Sequence, residues 1–167
     1  SFENLHALAP LALFRASEQQ DVKRVIQISA LGVDEQAFAA YQLSKKAADD
    51  GLKASNLDWF ILRPSLVYGA GGSSDAMFRR LAALPIISLP GGGQQRIQPV
   101  SVQDVVATVM QCLTAEPTKQ VIDVVGSKPY TLETWLQALR AQQGKKPALT
   151  ISIPWSLIML TAKLGHK

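Results

Sequence analysis

Two short apolar runs, Arg24 to Ser29 and Leu57 to Arg63, flank a longer stretch with helical patterning, and this arrangement constrains the fold more than any other feature of the chain. Runs of this length, rich in β-branched and aromatic residues on both faces, suit strands buried inside a parallel sheet. The stretch between them then becomes the helical crossover of a βαβ unit. Ala30-Leu31-Gly32 closes the first strand and Pro64 ends the second. Asp34 is placed to cap the crossover helix, which is expected over about Glu35 to Ser55. Upstream, Leu5, Leu8, Leu11, Leu13 and Phe14 recur at helical spacing between Asn4 and about Gln20, with Pro10 expected to kink or break that helix early.

Past Tyr68-Gly69 the pattern loosens. The sequence predicts a flexible loop over Ala70 to Ser74, a short helix over Asp75 to Ala83 and a strand over Ile86 to Leu89 running into Pro90-Gly91-Gly92-Gly93. That glycine run opens no helix and lacks the Lys-Ser/Thr of a phosphate loop, so a hairpin turn is the expectation. An amphipathic helix follows over Ser101 to Leu113, then a strand over Gln120 to Val125, a helix over Thr131 to Gln142 capped by Thr131, and an extended piece over Leu149 to Ile153 before Pro154. Two regions are expected: residues 1–69, and residues 70–167 interleaved with elements belonging to the first, namely helix 101–113 and strand 120–125.

Composition narrows the function classes. With 167 residues, 47% hydrophobic and 18% charged, the chain can bury a respectable core, which argues against disorder. Its net charge is +4, but apart from pairs such as Arg79-Arg80 and Lys145-Lys146 the cations are scattered, so no nucleic-acid surface is expected. The one cysteine, Cys112, excludes an internal disulfide, fits a reducing, cytoplasmic setting and reads as a small buried apolar residue. No metal site is expected. Ile151 to Leu160 is apolar but contains Pro154 and falls well short of the roughly 20 residues of a membrane span. The opening Ser1-Phe2-Glu3-Asn4 shows no secretory signal, and both termini are expected to be cut points in a longer protein.

The chemistry concentrates in the first seventy residues. Tyr41-Gln42-Leu43-Ser44-Lys45 sets a phenol and an ammonium four residues apart, hence on one helix face. Alone, such a pair is most often a solvated helix face. Here Ser29 ends the preceding strand, at the sheet edge where open α/β folds bind ligands. A nearby cation and a hydrogen-bonding hydroxyl both favour a phenolate, which suits proton transfer.

Ser29, Tyr41 and Lys45, with Ser44 before the lysine, resemble the Ser-Tyr-Lys set of the short-chain dehydrogenase/reductase superfamily. Arg63-Pro64-Ser65-Leu66-Val67-Tyr68-Gly69 resembles the Arg-Pro-x-x-x-Tyr-Gly stretch of its extended, sugar-nucleotide epimerase-like branch, and Pro99 to Val106 resembles that branch's later Val-His-Val-x-Asp-Val-Ala segment. The matches run in family order over roughly residues 4 to 140. The resemblance implies an α/β fold, the C-terminal half of a Rossmann-like doubly wound parallel sheet plus a small α/β substrate-binding region. It implies NAD or NADP as cofactor and Tyr41 as general acid/base. Lys45 would hold the nicotinamide ribose and promote Tyr41 ionisation, and Ser29 would orient the substrate oxygen. Pro64, Ser65 and Val67 would border the nicotinamide. Arg79 and Arg96 would grip an anionic substrate group or, equally, be solvated surface arginines. The substrate would be a small molecule, a nucleotide sugar or another carbonyl or hydroxyl compound.

Two departures keep a second reading open. The superfamily's Gly-x-x-Gly-x-x-Gly turn occurs nowhere in the sequence, and Ser101 stands where the branch usually has His. The chain taken alone is therefore expected to bind NAD(P)H poorly, to lack an N-terminal half and to self-associate through a bare strand edge. The Pro-Gly-Gly-Gly loop and the Gln-Pro-Val-Ser-Val-Gln-Asp pattern look closest to the atypical group that includes the nucleotide-binding accessory subunit of respiratory complex I. The alternatives are thus an NAD(P)-dependent oxidoreductase, epimerase or dehydratase, and a non-catalytic nucleotide-binding structural or assembly protein.

Overall fold

The computed structural model describes residues 3–154 and 156. Its elements in order are a π-helical segment (Asn4–Leu8), α1 (Ala9–Gln19), β1 (Arg24–Ile28), α2 (Ala40–Lys53), β2 (Asp58–Pro64), β3 (Val67–Tyr68), α3 (Ser73–Ala83), β4 (Ile86–Pro90), a 3-10 turn (Gly91–Gly93), β5 (Arg96–Ile97), β6 (Val100–Ser101), α4 (Val102–Cys112), β7 (Gln120–Val124), β8 (Tyr130–Thr131), α5 (Leu132–Gln142) and β9 (Leu149–Ile153). They form two compact units, one from residues 1–65 and 100–125, the other from 66–99 and 126–167.

The first unit is built on a parallel sheet of order β1-β2-β7, with Val25 opposite Trp59 and Phe60 opposite Gln120. Side chains alternate across a strand, so β2 supplies both faces of the core. Trp59 and Ile61 join Val25 in packing against Leu11 and Phe14 of α1 and Ala48 and Leu52 of α2. Phe60 and Leu62, on the opposite face, are fully buried, and each such side chain contributes roughly 1.5–3 kcal/mol. Arg24 ties α4 to that second face. Its guanidinium donates to the carbonyls of Cys112 (2.9 Å) and Leu113 (2.8 Å), pairs with Glu116 at 2.7 Å and lies 5.6 Å from the Phe60 ring centroid. Helices thus cover both faces, as buried parallel strands require.

The second unit packs α3 and α5 against β4 and β9, which pair in parallel with Ile86 opposite Leu149. β5 and β8 form a short antiparallel pair. Its core centres on Trp135, Leu136 and Leu139 with Ile87 and Leu89, and the Trp135 ring meets Tyr68 and Tyr130 edge-on at 5.0 and 5.2 Å.

Several expectations need correction. The crossover helix begins at Ala40, not Glu35, and ends at Lys53. Asp34 instead closes a turn, its Oδ1 accepting from the Gln36 amide at 2.8 Å, a local bond that competes with helix initiation. Pro10 causes no early break, because it occupies the first turn of α1, where a proline's missing N–H is tolerated. Pro90 to Gly93 is not a hairpin turn. β4 pairs with β9 and β5 with β8, so the glycines link two separate strand pairs. Helix α3 already starts at Ser73, inside the expected loop. Half of the apolar stretch expected over Ile151 to Leu160 lies outside the described residues. Among the described residues no helix is long and apolar enough to cross a membrane.

Candidate functional site

The site is assembled where β1 ends. The ladder continues past the strand, with the Ser29 amide donating to the Leu62 carbonyl (2.7 Å) and the Leu31 amide to Pro64 (2.9 Å). Gly32 then turns with φ +80, a conformation that strains any residue with a Cβ, and Val33 plugs the loop into the core with no exposed surface. Gln42 fastens this loop to the start of α2. Its side chain accepts from the Ala39 amide and donates to the Gly32 carbonyl, both at 3.3 Å. These contacts set the rotation of α2 and so the direction of Tyr41 and Lys45.

Lys45 donates from Nζ to the Ile28 carbonyl at 3.0 Å, the last residue of β1, and lies 5.8 Å from the centroid of the Tyr41 ring. Burial pushes the Lys45 amine below its usual range, and the negative charge of Asp49 opposes that fall. Tyr41 is 39% exposed and can meet a ligand. The His6 ring stands edge-on to it, with centroids 5.2 Å apart. The Ser44 hydroxyl donates to the Tyr41 carbonyl at 2.8 Å.

Ser29 follows directly on the last residue of β1. It is 4% exposed, and its hydroxyl donates to Asp49 Oδ2 at 2.7 Å. Asp49 itself is fully buried, with Arg63 Nε 3.7 Å from the same oxygen. Arg63 enters the sequence reading only as a strand end and as the first residue of the Arg-Pro-x-x-x-Tyr-Gly match, and Asp49 does not enter it, although it continues the stripe of Tyr41 and Lys45 by one more helical turn. Beside the exposed Asp50 it reads as one of two solvated acids, and only packing separates them.

Of the expected cofactor-side residues, Pro64 is buried at the end of β2, and Ser65 donates its amide to the Val124 carbonyl at 3.0 Å. Val67, Arg79 and Arg96 belong to the second unit. Arg79 is held by Asp75 at 2.7 Å along α3. Arg96 is exposed and shares with Lys128, Tyr130, Thr131 and Thr134 the lining of a cavity of about 600 Å³, in which the Lys128 amine lies 5.2 Å from the Tyr130 ring centroid. Ser101 caps α4, accepting from the Asp104 amide at 3.1 Å, so the expected histidine position serves as a helix cap here. Among the described residues no group of three or more His, Cys, Asp or Glu is placed to hold a metal ion.

A sequence profile described as NAD(P)H-binding matches residues 10–116, a span that contains Ser29, Tyr41, Lys45 and the elements from β1 to α4. The chain belongs to this NAD(P)H-binding family. Its cofactor is accordingly NAD or NADP. The mitochondrial 40 kDa subunit of NADH-ubiquinone oxidoreductase from Neurospora crassa is 26% identical over 132 residues, 78% of this chain and 34% of that protein. The ceramide reductase of Caulobacter vibrioides is 28% identical over 131 residues, 75% of this chain and 40% of the relative. Among solved structures, a UDP-glucuronic acid 4-epimerase from Bacillus cereus in complex with NAD superposes with a TM-score of 0.75 at 18% identity, over 89% of this chain and 55% of that one, which places the fold with the Rossmann-like epimerases. The chain spans between a third and two-fifths of these curated relatives. The residues present fit one end of a dinucleotide. The Lys45 amine, with the Tyr41 ring beside it, stands at the carboxyl end of β1, the edge where such ligands bind. The Gly91–Gly93 turn does not fit the pyrophosphate end, because it leads into β5 rather than into a helix N-terminus.

Proposed function

We propose that this chain carries the proton-transfer half of an NAD(P)-dependent oxidoreductase, epimerase or dehydratase of the short-chain dehydrogenase type. The observation that carries the reading is the fixed placement of Lys45 beside Tyr41, with its amine bonded to the Ile28 carbonyl at 3.0 Å. The nicotinamide, when bound, accepts or supplies hydride. Tyr41 exchanges a proton with the substrate hydroxyl or carbonyl oxygen. Lys45 presents its charge to the phenol and its remaining donors would hold the ribose hydroxyls, while Pro64 and Ser65 would border the ring. Ser29 acts through Asp49, its hydrogen being committed to that carboxylate. The substrate is a small molecule with an oxidisable hydroxyl or reducible carbonyl, a nucleotide sugar being the class named by the epimerase. Arg96 and Lys128 give the second unit a pocket suited to an anionic group.

The test is Tyr41→Phe in the polypeptide that carries this chain, assayed for NAD(P)H turnover and cofactor affinity. The expected result is a loss of turnover of at least about a hundredfold with affinity retained, the size of a lost general acid. Unchanged turnover removes Tyr41 from the reaction. A second reading, a nucleotide-binding structural or assembly protein, is favoured by one observation: the Ser29 hydroxyl is buried and donates to Asp49.

A further inference from the structure

Asp49 is where three elements of the first unit meet. The Ser29 hydroxyl reaches it from just past β1 at 2.7 Å, Arg63 from β2 at 3.7 Å, and Asp49 itself stands on α2 one turn beyond Lys45. Its second oxygen, Oδ1, is buried without a hydrogen-bond partner, and Arg63 Nε is likewise buried and outside hydrogen-bond range. A structural carboxylate is normally buried only when both oxygens are satisfied, since a half-paired buried charge costs more than it returns. A neutral amide could keep the Ser29 contact without that cost. What an amide could not supply is negative charge one helical turn from Lys45.

We propose that Asp49 is a positioning residue of the Tyr41/Lys45 site: its buried charge holds Lys45 as an ammonium against the Ile28 carbonyl, and Ser29 and Arg63 hold that charge in place. The inference rests on Lys45 being the cofactor-side cation of the site and names what sustains it. Burial lowers the Lys45 amine and the charge of Asp49 opposes this, consistent with the geometry. The charged groups acting on Asp49 are Arg63 from β2 and Lys45 and Lys53 on its own helix, and Ser29 faces it from the end of β1. On the other side of Lys45 stands the Tyr41 ring, which His6 meets from the N-terminal segment.

The experiment follows Lys45 directly, by NMR of the chain carrying lysine labelled with 13C at Cε, titrated through the alkaline range, with Lys45→Arg assigning the signal. Asp49→Asn is expected to move the Lys45 midpoint to lower pH, and Asp49→Glu to bring it back towards wild type. At neutral pH the melting temperature of Asp49→Asn is expected to equal or exceed the wild-type value. An unchanged midpoint overturns the proposal, as does a melting temperature that falls without any change in midpoint, the mark of a purely structural residue. Should Asp49→Asn fail to fold, Ser29→Ala is the second variant. It keeps the carboxylate but removes one of the groups that hold its charge, so a smaller fall of the Lys45 midpoint is expected, and an unchanged midpoint overturns the proposal. No cofactor or turnover enters this measurement, so a null result with Tyr41→Phe and a null result here are separate findings.

Discussion

Arg140 and Asp49 are both buried charges, and their surroundings oppose each other. Arg140 is 9% exposed, and its guanidinium donates to the carbonyls of Lys146, Ala82 (2.9 Å) and Leu84 (2.7 Å). It thereby satisfies the orphan carbonyls at the end of α3 and places a cation at that helix's negative end. Replacing it strands several buried acceptors, so Arg140→Met is expected to lower unfolding free energy by about 2–4 kcal/mol, read by urea denaturation. A loss within error would show those carbonyls to be solvated instead. Asp49 is half-paired, and burial raises its carboxyl above the usual aspartate range. A raised folded-state value means that the folded protein favours the protonated form. The favourable contribution is therefore present at pH below the usual aspartate range and is lost as pH rises through the raised value. Wild type and Asp49→Asn are expected to melt together in acid and to separate as pH rises towards neutral, with the Asn variant the more stable. Parallel melting profiles across that window would contradict the sign.

Between β4 and β5 the chain turns on Gly91, Gly92 and Gly93, all with positive φ. The three are not equivalent. A Cβ on Gly93 would stand 2.6 Å from Leu89 Cδ1 and 3.1 Å from the Glu133 backbone nitrogen, against the first turn of α5. Gly144, which follows α5 with φ +70, has nothing within 4 Å of such a Cβ. Gly144→Ala should cost only the left-handed conformation, about 1 kcal/mol. Gly93→Ala adds a clash with the Leu89 methyl and a tight approach to the Glu133 backbone, and is expected to cost roughly 2–4 kcal/mol. Thermal denaturation of the pair decides the matter, and equal losses would mean that the β4–β5 connection yields. The cap of α5 falls on Thr131 as its sequence predicts, and Ser101, expected as the first residue of its helix, caps α4. Ser101 and Thr131 each accept from the amide three residues on, at 3.1 Å, because a short hydroxyl side chain satisfies a helix's free N–H groups whatever the rest of the fold does.

For the whole molecule the open question is the edge of the main sheet. Among the described strands β1 pairs with β2 alone, and the N-terminal helices pack on α2 and on the Trp59 face of the sheet rather than along that edge. Ile28 is 42% exposed at its end. Such an edge invites pairing with a second chain. This chain is expected to self-associate with rising concentration in light scattering, and Ile26→Lys to shift it towards monomer. A wild-type chain that stays monomeric at all concentrations would show the edge to be protected.

The sequence by itself determined the longer strands, because runs such as Arg24 to Ile28 and Asp58 to Pro64 are too apolar on both faces for any place but a covered parallel sheet, whereas two-residue strands such as β5 and β8 leave no pattern to read. It also determined the shared face of Tyr41 and Lys45, since helical periodicity is local. The beginning of α2 was not legible. Asp34 is a good cap by residue type, and what overrules it is the burial of Val33 and the grip of Gln42 on Gly32, a contact ten residues long. The role of Asp49 was equally hidden. Nothing local distinguishes it from Asp50, and only the approach of Ser29 from one strand and Arg63 from another makes one of these acids a buried charge and leaves the other in water. Local preference is written in neighbouring residues, whereas desolvation is set by whatever the fold brings from elsewhere in the chain.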